Sequence, residues 1–166
     1  PHYVIYLITP AGAGPAEKKN GPPPATARIP LEHLSDDLEH AQGLMRVFRK
    51  EGTKLKQLMV LKHGTVMVVT AKPLLIQAHK RNELPSKADS ITEGALIPGY
   101  VSAVKDFGVF VRFLGHLTAL APRNSLSNAF VSSPRRLFRW GQSVLCHVKA
   151  KSTQDDGGEG GTRVTV

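Results

Sequence analysis

Two stretches far apart in this chain have nearly the same wording, and that repetition limits the fold more than any other feature. ARIPLEHLSD, Ala27 to Asp36, aligns with ALAPRNSLSN, Ala119 to Asn128, sharing alanine, proline, leucine, serine and a final Asp or Asn at constant spacing. Downstream, GTKLKQLMVL from Gly52 parallels GQSVLCHVKA from Gly141, and GTVMVV from Gly64 parallels GTRVTV from Gly161. Three matches in the same order argue for tandem copies of one five-stranded unit. A chain of 166 residues is long enough for two such units, each burying its own core. The first copy is then expected to lack its first strands and the second to stop within its last, as in a piece of a longer protein.

Local patterns fill in the elements. Residues 3 to 9 read as a strand, and PAGAGPAEKKNGPPPATA, Pro10 to Ala27, has the composition of a flexible insertion. Leu34, Leu38, Ala41, Met45 and Phe48 recur at helical spacing, with acids at one end, bases at the other and Gly52 beyond, which predicts a helix over 34–48 capped by Ser35. LKQLMVL and GTVMVV read as two strands about a turn at His63 and Gly64. Pro73 opens a short helix, LLIQAHKRN, that runs into Leu84 and Pro85. More strands follow from Gly99, the last preceded by the loose loop TQDDGGEGG. The expected division is a partial first unit over 1–75, a linker over 76–96 and a second unit over 97–166.

DFGVFVRF, Asp106 to Phe113, is the segment that carries chemistry. Successive strand side chains point to opposite sides, so Val109, Val111 and Phe113 share one face and Phe110 and Arg112 the other. Gly108 suits a bulge or bend, and a bend there turns Phe107 to the side of Phe110. Two rings beside a guanidinium are the composition of a base-stacking platform; the alternative is that both phenylalanines fill the core. The charge favours a polyanionic partner. Lys and Arg outnumber Asp and Glu 22 to 13, for a net +9. Between Lys105 and Lys151 the bases Lys105, Arg112, Arg123, Arg135, Arg136, Arg139, Lys149 and Lys151 face the single acid Asp106.

Other chemistries find no footing. AGAGPAEKK has neither the glycine–lysine–Ser/Thr spacing of a phosphate loop nor the dinucleotide glycine pattern. The seven histidines include no HExxH pair, and Cys146 is the only cysteine, so a zinc site, an intrachain disulfide and thiol catalysis are all unsupported. Asp155, Asp156 and Glu159 lack the alternating ligand pattern of a calcium loop. VIYLI, Val4 to Ile8, is far too short to span a bilayer and has no basic flank for a signal peptide. No enzyme activity, cofactor, metal or small-molecule substrate is expected.

GYVSAVKDFGVFVRF, then a glycine loop, LAPRNSLS, FRWGQSV and a glycine turn with RVTV together resemble the S-one RNA-binding domain, named after ribosomal protein S-one. The resemblance covers Ile97 to Val166 and, more weakly, Tyr3 to Lys72 as a second copy. It implies a mainly β chain of tandem five-stranded OB-fold barrels joined by short helices. On the implied RNA face Phe107 and Phe110 stack bases, while Arg112, Arg163 and Lys105 hold phosphate. Arg123, Arg135, Arg136 and Arg139 are candidates for RNA or partner contact, or form a solvated helical turn. Two departures weaken the implied grip. Pro122 stands where the family often has histidine, and Ser152 where it often has aspartate.

FVRFLGHLTALAPRNSLS, EHLSD and the intervening AKPLLIQAHKRNELP are similar to a eukaryotic family of ribosome-biogenesis factors built from long S-one arrays. That likeness implies a nucleolar scaffold holding single-stranded precursor ribosomal RNA and assembly factors. Two other readings are a protein–protein interaction module in the same assemblies and an accessory RNA-binding domain of an exoribonuclease or translation factor.

Overall fold

The chain is mainly β, and its computed structural model describes residues 3–8, 25–48, 55, 57–85, 90–114, 117–153 and 162–166. The first half forms strands β1 (Tyr3–Ile8), β2 (Ala25–Pro30), β3 (Met59–Lys62) and β4 (Val66–Thr70), with helix α1 (Leu38–Phe48) between β2 and β3. Helix α2 (Pro73–Lys80) leads to the second half. That half holds β5 (Leu96–Lys105), β6 (Gly108–Arg112), β7 (Thr118–Pro122), β8 (Ser143–His147), β9 (Ala150–Thr153) and β10 (Thr162–Thr165).

Two sheets result, ordered β1-β2-β4-β3 and β8-β5-β6-β7-β10-β9. Their connectivity runs in step. β1 pairs antiparallel with β2, β2 parallel with β4, and β4 antiparallel with β3; β6, β7, β10 and β9 repeat that sequence of pairings. β2 ends on Pro30 at φ −61, ψ 153 and β7 on Pro122 at φ −62, ψ 151, and each proline opens a single 3-10 turn. Three residues after a fixed-φ proline thus turn the chain the same way twice. The second sheet has six strands because two strands, β5 and β8, add to the four that match, β8 arising where the chain from Ser143 to Thr153 makes two strands rather than one.

Several boundaries depart from the sequence expectation. Helix α1 begins at Leu38, not Leu34, because Leu31–His33 form the 3-10 turn. Its first turn is capped by Asp37, whose carboxylate accepts from the His40 N–H at 3.0 Å, whereas the Ser35 hydroxyl lies 2.9 Å from His40 Nδ1. β2 takes Ala25–Ala27 out of the expected insertion, and 9–24 lie outside the described residues, as does 154–161 of the expected loop. In the segment 76–96, α2 fills the start, and Ile91 packs in the second core.

Each sheet buries an apolar face. Ala27, Ile29 and Val69 pack with Leu34 and with Ala41 of α1 in the first unit. In the second, Val109, Val111 and Phe113 meet Val101, Ala119 and Val148. Each of these valines, leucines, isoleucines and phenylalanines contributes about 1.5–3 kcal/mol by leaving water, and each alanine less.

A polar joint fastens the halves together. Lys72, just after β4, is fully buried and donates to the Ser35 and Gly141 carbonyls, both at 2.6 Å, and to Ser143 Oγ at 3.1 Å. The three protons of its ammonium therefore all have acceptors. Asp36 accepts from Ser143 Oγ at 2.6 Å and from the Leu74 N–H at 3.1 Å, and its carbonyl accepts from the Ser143 N–H at 2.8 Å. Burial holds the Lys72 pKa down at about 8, against the pull of Asp36, Glu32 and Asp37. Gly141 completes the joint at φ +78, where a Cβ would lie 3.1 Å from that of Glu32, so only glycine fits. Beside these polar groups the His33 and Tyr100 rings meet edge to face at 4.7 Å.

Candidate nucleic-acid interface

The β5–β6 hairpin turns on two residues, Asp106 and Phe107. Gly108 is the first residue of β6 rather than a bend within a longer strand; the irregularity lies in β5 instead, between Val101 and Ala103. There Ser102 Oγ donates to the Phe110 carbonyl at 3.2 Å. The turn is anchored from the neighbouring strand, since the Phe107 carbonyl accepts from the Arg123 N–H at 2.8 Å. This arrangement leaves the Phe107 ring 59% exposed. Phe110 is half-buried, and the two rings stand perpendicular with centroids 6.0 Å apart. Val109, Val111 and Phe113 take the opposite, buried face, as their alternation predicts. The pair therefore offers one open ring and a second that buttresses it.

The basic residues are spread around this pair. Lys105 is exposed at the end of β5, paired with Gly108, and Arg112 is exposed at the far end of β6, paired with Tyr100. Phe110 sits between them. Arg163 occupies β10 opposite Ser152, and β7 intervenes, so that strand lies about 10 Å from β6. The four arginines that follow β7 do not form one cluster. The Arg123 guanidinium lies 5.4 Å over the Phe130 ring, Arg135 reaches Asp106 at 3.9 Å in the hairpin turn, and Arg139 reaches Glu39 of the first unit at 3.8 Å. Arg136 is exposed. Such exposed pairs contribute little to stability and leave the arginines available to a polyanion.

Tyr100 is the residue that the sequence reading overlooked. It sits on the same side as Arg112, its pairing partner, yet it is buried because the first unit covers that end of the hairpin. Burial raises the Tyr100 pKa, against the pull of the nearby Arg112 guanidinium. Only the joint reveals this, since strand alternation marks a face without saying what covers it.

Among the described residues no group of three His, Cys, Asp or Glu side chains is placed to hold a metal, and no helix is long and apolar enough to cross a membrane. The buried Cys146 thiol is pushed up to about 11 by desolvation, the reverse of what a nucleophile needs. What the surface can do is stack on an aromatic and neutralise phosphate.

Comparison with known proteins finds a match over part of the chain: residues 90–155 are similar to the S1 RNA binding domain. The chain as a whole is also similar to larger proteins. It is 36% identical over 121 residues to the rRNA biogenesis protein RRP5 of Arabidopsis thaliana, covering 72% of this chain and 6% of that protein. It is 34% identical over 125 residues to rRNA biogenesis protein rrp5 of Schizosaccharomyces pombe, covering 73% and 7%. With the human Protein RRP5 homolog it shares 32% over 123 residues, covering 74% and 6%. The chain thus spans 6–7% of the length of these curated relatives. Within the matched residues Phe107 and Phe110 lie on the open side of the hairpin, while Pro122 pairs with Gly108 and offers no side-chain polar group.

Proposed function

We propose that this chain is an RNA-binding module of a ribosomal-RNA biogenesis assembly, gripping single-stranded precursor RNA on the Phe107–Phe110 pair. The observation that carries the reading is the exposed, edge-buttressed ring of Phe107 at a basic hairpin within the residues similar to the S1 RNA binding domain. Bases stack on the two rings at about 1–3 kcal/mol each, and Lys105, Arg112 and Arg163 neutralise phosphate without reading sequence. Arg123, Arg135, Arg136 and Arg139 serve as outlying contacts to RNA or to assembly factors. The names of the relatives support a place in ribosome biogenesis, hence in the nucleus and nucleolus. The chain binds and positions RNA; it does not catalyse.

The two halves are, on this reading, tandem OB-type copies over 1–75 and 97–166 joined by 76–96. Their matched strand pairings and proline turns support it. In the second copy β8 and β9 edge opposite sides of the sheet, yet only two residues separate them in the chain, so the sheet curls toward a barrel. Photocrosslinking with a thiouridine-substituted single-stranded RNA tests the function. Crosslinked peptides containing Phe107 and Phe110 are expected; crosslinks confined to the first unit, or none, contradict it.

A further inference from the structure

The joint leaves a cleft of about 290 Å³ between the two units, at the lower end of the range for small-ligand sites. Leu61 and Leu75 give it apolar walls, and His33, Lys62, Tyr100 and Arg112 supply its polar groups; none of its lining residues is acidic. His33 is 5% exposed, and its Nδ1 has no hydrogen-bond partner among the described residues. That nitrogen is sealed beneath the cleft wall, so the neutral hydrogen-bonding group offered to a base is the Tyr100 hydroxyl. Lys62 and Arg112 are exposed cations. Apolar walls, a phenol hydroxyl and two cations match the parts of a nucleotide: a flat base with a hydrogen-bonding edge, and a phosphate.

The cleft also continues the aromatic surface. Phe110 and Arg112 are alternate residues of β6, so they lie on one side of the strand about 7 Å apart. A strand of RNA leaving the rings along β6 meets Arg112 at the cleft's edge.

We propose that this cleft between the units binds one nucleotide of the same single-stranded RNA that stacks on Phe107 and Phe110, its base inside and its phosphate between Lys62 and Arg112. The proposal rests on the RNA-binding reading above and extends it from one unit to both. The joint then has a functional role, because a fixed angle between the units keeps the cleft open in line with the rings.

The test is fluorescence anisotropy of a labelled oligouridylate with the full chain, over a range of salt. Lys62→Gln alters only an exposed side chain, and Tyr100→Phe removes only a hydroxyl. Lys62→Gln is expected to weaken binding about 3- to 10-fold and to lower the log–log salt slope by about 0.7, the loss of one phosphate contact on single strands. Tyr100→Phe is expected to weaken binding several-fold with the slope unchanged, and Lys80→Gln, an exposed lysine outside the cleft, to do neither. If Lys62→Gln and Tyr100→Phe both bind like wild type while Phe107→Ala weakens binding, the cleft proposal is overturned and the ring platform stands. If the cleft variants weaken binding but Phe107→Ala and Phe110→Ala do not, the continuous path fails together with the platform.

Discussion

Gly108 packs so closely beneath the neighbouring strand that a Cβ would press into the Ala121 carbonyl and lie 3.1 Å from the Pro122 Cα. Both obstacles are backbone and cannot swing aside. Gly108→Ala is therefore expected to cost about 1–3 kcal/mol, as overpacking does, and to loosen the turn that presents Phe107; urea denaturation measures the first effect. His33 makes a second prediction at this scale. Burial, then the charges of Lys72 and Arg112, hold its pKa at about 3 against a usual 6.5. Between those values the unfolded chain takes up a proton that the folded chain refuses, so stability falls as pH drops below 6.5. The slope approaches about 1.4 kcal/mol per pH unit. The unfolding free energy of wild type should fall relative to that of His33→Gln as pH drops from 7 to 4, and a constant gap over that range would show that His33 does not titrate this way. Residues of this kind were only half legible. The burial of Val109, Val111 and Phe113 follows from alternation, but the burial of His33 and Lys72 does not, because charged and polar residues read by default as exposed.

Among elements, the hairpin and the joint behave oppositely. The hairpin was visible in the sequence through a glycine, two rings and a period of two; the bulge in β5, which falls at Ser102 rather than at a glycine, was not. The joint was invisible. Asp36 reads as a charge near a helix start and Ser143 as an ordinary strand residue, and their 2.6 Å bond closes a separation of 107 positions. Its energetic centre is Lys72. Lys72→Met leaves the Ser35 and Gly141 carbonyls without their donor and Asp36 without its nearby cation, so a loss of about 3–5 kcal/mol is expected. Denaturant titration checks this, and a loss under 1 kcal/mol would mean that the joint is incidental to the fold.

For the whole molecule, charge and repetition set what the chain can do. A net charge of +9 draws any polyanion, but charge alone cannot separate RNA from other partners; the proposal of RNA rests on the exposed ring of Phe107 beside it. The proline shared by the repeated wording sits at the same topological corner of the two sheets, where β2 and β7 each pass into a 3-10 turn. Their packing against each other depends on contacts that no local pattern encodes. A single module with few phosphate contacts binds weakly, and tethering to further modules raises avidity by about two to four orders of magnitude. The direct measurement of the central claim is the affinity of single-stranded RNA for the wild-type chain and for the Phe107→Ala, Phe110→Ala double variant, each across a salt series. The account predicts a loss of at least about tenfold, from 1–3 kcal/mol per stacked base, with the salt slope unchanged because the rings carry no charge. An unchanged affinity would contradict it.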